Sequence, residues 1–150
     1  MKPIQLAMPI KVWYKSLPAL PKTYWPIVDI KLSHKGIRLI QPVLSLIDSG
    51  ANLSILHVEV AEAWGINLKK LGPPKFTGTS VSGYYKSWAL PDPINVDIYG
   101  HLFSFRFSVI DNPDLIWPCI LGEDSIFQIA RLDFQKFKGY LEIRFRQDIN

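Results

Sequence analysis

From Tyr24 onward, apolar side chains recur at every second position, in "IVDIKL", then "IRLI", then "VLSLID". Such alternation belongs to strands with one face turned to a core, and it leaves no room for long amphipathic helices. His34-Lys35-Gly36 reads as the turn between the first two runs. Comparable runs predict strands over 53–56, 75–79, 84–90, 94–98, 102–110, 118–121 and 140–145. The expected fold class is therefore all-β.

Two short stretches break the alternation. "HVEVAEAWG" predicts two helical turns ending at Gly65, with Val58, Ala61 and Trp64 on one side. "EDSIFQIARL" predicts a second helix, capped by Asp124 or Ser125, with Ile126, Ile129 and Ala130 on one face. Residues 1–26 carry Pro3, Pro9, Pro18, Pro21 and Pro26, which exclude a long helix and a central strand. We expect an extended N-terminal arm over 1–26 and one domain over 27–150.

A chain of 150 residues buries roughly two-thirds of its unfolded surface, so it folds without a disulfide or metal. Its single cysteine, Cys119, and three scattered histidines offer no metal-ligand spacing. No metal and no cofactor is expected. The net charge of +4 raises the question of nucleic acid, but the basic residues are dispersed, and in "KFKGYLEIRFR" they alternate with apolar ones as on a solvated strand face. That dispersal argues against a nucleic-acid partner. No apolar run reaches the roughly 20 residues that span a bilayer, and Pro3, Pro9 and Lys11 interrupt the only candidate for a signal segment. A cytoplasmic protein that is not membrane-bound is expected.

The stretch "LSLIDSGANLSIL" sets Asp48 inside an apolar run. An ionised carboxylate in apolar surroundings is costly unless it is paired, hydrogen-bonded or protonated. Asp-Ser-Gly alone is an ordinary turn tripeptide. Here it lies between two runs that read as buried strands, and a carboxylate projected from a rigid β-scaffold is a common way to build a catalytic site.

With "LIDSGANLSI" the sequence resembles the retroviral-type aspartic proteases, the retropepsins, whose pattern is an apolar run, Asp-Thr/Ser-Gly-Ala and a further strand. Their second landmark, two apolar residues and a glycine opening a short helix, is similar to "CILGEDSIFQI". Their glycine-containing flap hairpin is matched in place by "FTGTSVSGYYKSWAL". The resemblance covers about residues 30–145 and implies a closed barrel with a flap and one or two short helices.

It also implies chemistry. Asp48 is the catalytic carboxylate, with Ser49, Gly50 and Ala51 supporting its loop. Gly78, Thr79, Ser80, Val81, Ser82 and Gly83 form the flap over an extended peptide or protein substrate, and Ile120, Leu121 and Gly122 pack behind the loop. Such enzymes need two aspartates that share a proton. No second Asp-Thr/Ser-Gly occurs, so the resemblance implies a two-fold homodimer in which Asp48 meets its own copy. Where many retropepsins have Arg after the second glycine this chain has Glu123, and where they have Asp two residues beyond the first it has Asn52. A weaker or differently built dimer follows. Two other readings are a retropepsin-like module kept for dimerisation or peptide binding with little or no hydrolysis, and an unrelated β-barrel with nucleic-acid affinity.

Overall fold

A computed structural model describes residues 3–80 and 83–148. The N-terminal strands are β1 (Ile10–Trp13), β2 (Lys15–Leu17) and β3 (Leu20–Trp25), followed by β4 (Ile27–His34), β5 (Ile37–Arg38), β6 (Val43–Ile47) and β7 (Ile55–His57). Helix α1 (Val58–Ala63) leads to the hairpin β8 (Phe76–Ser80) and β9 (Gly83–Ala89), then to β10 (Ile94–Ile98), β11 (His101–Phe105), β12 (Ser108–Asp111) and β13 (Cys119–Leu121). Helix α2 (Ile126–Ile129) precedes β14 (Ala130–Gln135) and β15 (Tyr140–Phe145). The protein is mostly β with a few short helices, as the alternation requires.

The main sheet runs β11-β10-β4-β6-β13-β7-β12-β9-β8, with β5 added on β4. This path is open: among the described residues no ladder joins its ends into the expected closed barrel. A second sheet, β1-β15-β14, joins an N-terminal strand to the last two, and among the described residues β2 pairs only with β3. Period two decides which side chains meet. On β4, Val28, Ile30 and Leu32 enter the main core with Leu56, Val109 and Leu121, while Ile27 faces the other way into a smaller cluster with Leu17, Leu46 and Trp117. On β15, Leu141, Ile143 and Phe145 are buried and Glu142 and Arg144 are half-buried between them, the solvated-face pattern read from the tail.

Differences from the sequence reading have local causes. The run 102–110 is two strands: β11 pairs with β10, the chain leaves that ladder at Arg106, and β12 pairs with β7 and β9 instead. An unbroken apolar pattern hides such a change of neighbour. Helix α2 stops at Ile129, because Ala130 is extended and pairs with Phe145, so the helical face expected to include Ala130 is cut short by a cross-strand ladder. Helix α1 ends as expected, with Gly65 at φ +88° just past its last turn. No helix among the described residues is long and apolar enough to cross a membrane.

Candidate active site

Strand β6 is buried on both faces, with Val43 and Ile47 in the main core and Leu46 in the smaller one. Strands β6 and β7 follow each other in sequence but are not neighbours, because β13 lies between them, parallel to β6 and antiparallel to β7. The connection 48–54 must therefore cross the end of β13. Asp48 is the first residue of that crossing.

Its backbone continues the ladder, the Asp48 amide donating to the Leu121 carbonyl at 3.0 Å. A tight turn follows, closed by the Ala51 amide donating to the Asp48 carbonyl at 3.2 Å. Inside it the Gly50 amide donates to Asp48 Oδ1 at 2.8 Å. The side chain is half-buried, and Ser49 and Gly50 are exposed. Asp48 is thus held at the rim of the core, and a backbone donor compensates part of its desolvation. No Lys, Arg or His pairs with it among the described residues.

The second landmark locks this loop from beneath. The Glu123 amide donates to the Ala51 carbonyl at 2.8 Å, and Gly122 passes so close that an added Cβ would lie 2.3 Å from the Ala51 oxygen and 3.0 Å from that of Leu53. Only glycine fits there. Leu121 is fully buried and Ile120 half-buried, and they pair with Ile47 and Leu46. Asp48 to Ala51 and Ile120 to Gly122, quoted from distant parts of the sequence, thus come together in space.

Sequence reasoning missed the polar pin beneath them. Ser54, fully buried, accepts from the Gly122 amide at 3.0 Å and donates to Asp124 Oδ1 at 2.6 Å, with Ser125 Oγ 2.7 Å away. Ser125 occupies the N-cap position of α2 without a side-chain capping bond; its hydroxyl turns back to the Gly122 carbonyl at 3.3 Å. The available signal was a lone serine in the apolar run "LSIL", where a hydroxyl needs a partner.

The β8–β9 hairpin pairs Gly78 with Tyr85, Thr79 with Tyr84 and Ser80 with Gly83. It joins the site through β12, which pairs with both β9 and β7. Val81 and Ser82, the expected tip, lie outside the described residues. Cys119 is no rival nucleophile: burial pushes its thiol up to about 12, partly offset by a hydrogen bond with Ser45.

No protein-family model matches the sequence, and no curated protein matches it. Solved structures do resemble its fold. A retropepsin-like aspartic protease from Rickettsia conorii superposes with a TM-score of 0.57 at 16% identity, covering 97% of this chain and 98% of that one. The retroviral protease-like domain of Ddi1 from Leishmania major gives 0.52 at 23% identity, covering 83% of this chain and 91% of that domain. The fold is retropepsin-like.

Proposed function

We propose that this protein is an aspartic endopeptidase that acts as a two-fold homodimer, its dyad made of Asp48 from each copy. The observation that carries the proposal is the Asp48 loop: a half-buried carboxylate, fixed by the Gly50 amide, on a turn that the second landmark clamps over β13. A single such carboxylate lacks the acid that must accompany the base. Two within hydrogen-bond reach share one proton and divide the roles.

In the reaction the ionised member takes a proton from water while the protonated one donates to the scissile carbonyl oxygen. The resulting hydroxide adds to the carbonyl carbon, giving a tetrahedral intermediate without an acyl-enzyme. Its collapse breaks the C–N bond, and the leaving nitrogen takes up a proton. Residues 78–83 act as the flap, whose amides hydrogen-bond an extended peptide and whose closure excludes water. The body over 27–150 carries the site, with 1–26 as its arm.

Incubation with a diverse peptide library at mildly acid pH, with and without an aspartic-protease inhibitor, tests the proposal. Inhibitor-sensitive internal cleavage is expected, with a rate that declines towards alkaline pH as the shared proton is lost. Full activity above pH 9, or cleavage indifferent to the inhibitor, contradicts it.

A further inference from the structure

The N-terminal arm lies beside the proposed dyad. Ile27 pairs with Leu46 and the Ile47 amide donates to the Pro26 carbonyl at 3.0 Å, and the same register extended by one residue would set Trp25 across from Asp48. Directly opposed residues lie about 5 Å apart. If two Asp48 carboxylates meet on a two-fold axis, Trp25 is within roughly 10 Å of that axis, and the β2–β3 hairpin it ends must lie at the junction of the two copies.

The hairpin is built as an arm. Strand β3 pairs with β2 on one edge and with no other strand among the described residues. It is seated by few contacts: Leu17 enters the small cluster at 4% exposure, Trp25 packs edge-on against Trp117 with ring centroids 5.3 Å apart, and Lys15 Nζ pairs with Asp29 Oδ2 at 2.7 Å. The rest of β3 is exposed, including Leu20 at 39% and Tyr24 at 57%. An isolated two-stranded hairpin is marginal in water, and an unpaired edge with exposed apolar side chains is a docking surface. Near the chain ends, β1 is paired with β15 on one edge and Leu6 bridges Arg146 within the same protomer.

We infer that the β2–β3 hairpin is the dimer arm: β3, through Leu20 and Tyr24, grips a second copy of this chain beside the Asp48 dyad. This rests on the dyad reading. It supplies an intersubunit contact where Glu123 and Asn52 depart from the residues of many retropepsins. A two-fold contact uses the same surface on both copies, so β3 of each can serve as grip and as seat.

The test is sedimentation equilibrium of the whole chain, with peptide cleavage followed in the same samples. Leu20→Asp combined with Tyr24→Asp should weaken association at least about ten-fold, as loss of apolar anchors does, and leave unchanged the thermal midpoint measured at concentrations where both proteins are monomeric, because both side chains are exposed. Phe137→Asp, at an 86% exposed position on the β14–β15 connection, should leave association unchanged. Amide hydrogen exchange of the unsubstituted chain gives a second readout, with residues 20–24 expected to slow as concentration crosses the dimerisation range. A dimeric, active protein whose association ignores the hairpin substitutions, or yields only to Phe137→Asp, overturns the arm and leaves the dyad standing. Unchanged exchange at 20–24 on association overturns it equally. A chain that stays monomeric and cleaves peptides overturns both.

Discussion

Asp48→Asn should abolish peptide cleavage, lowering the rate by at least about 10³-fold, the scale of general acid–base catalysis, while leaving fold and association in place. The two expectations have separate causes. The Gly50 amide donates to Asp48 Oδ1 at 2.8 Å, and an asparagine oxygen in the same position still accepts that bond. The turn at Ala51 and the link to Leu121 use backbone atoms only. The loop therefore keeps its shape. What disappears is the capacity to exchange a proton: an Asn pair can neither deprotonate water nor protonate the scissile carbonyl. A variant that cuts at the wild-type rate removes Asp48 from the chemistry. One that no longer folds would mean that the carboxylate's charge, and not merely its acceptor oxygen, holds the turn.

The largest structural effect is expected at Gly122. Changing Gly122 to Ala puts a carbon 2.3 Å from the Ala51 carbonyl oxygen and 3.0 Å from that of Leu53, and both are backbone atoms with nowhere to retreat. Relief requires lifting the 48–54 connection off β13, which breaks the Glu123 bond to Ala51 and the Ser54 bond to the Gly122 amide. We expect a loss of at least about 3 kcal/mol, the upper part of the overpacking range, seen as a fall of roughly 6–12 °C in the unfolding midpoint. Gly50→Ala is the contrast: its Cβ would meet Asp48 Oδ1 at 3.2 Å, a side-chain atom that can swing aside. A Gly122→Ala protein as stable as the parent would show that the clamp is looser than described.

The strands that carry the site were legible because period two survives wherever one face is buried. The alternation over 94–98 and 140–145 matches β10 and β15 to the residue, and that over 43–48 matches β6 to within one. Legibility failed where neighbours decide the outcome. The expected helix over "IFQIARL" gives way at Ala130 to pairing with Phe145, and the run 102–110 divides because its two halves serve different partners. Neither event leaves a local mark. The Asp48 turn could be quoted from the sequence together with its second landmark, since both are short and glycine-marked. The pin through Ser54, Asp124 and Ser125 could not, because Ser54 lies about 70 positions from the other two, and alone it reads as a strand residue and they as helix caps. The approach of Pro26 to Ile47, next to Asp48, follows from a register that only the pairing of β4 with β6 defines.

The claim on which the rest depends is that Asp48 works only beside its own copy. It is tested most directly by measuring cleavage per protein chain at mildly acid pH while the protein is diluted through the range in which sedimentation shows dimer giving way to monomer. The account predicts that activity per chain falls in step with the fraction of dimer and returns on reconcentration. Activity per chain that stays constant into the monomeric range would contradict it.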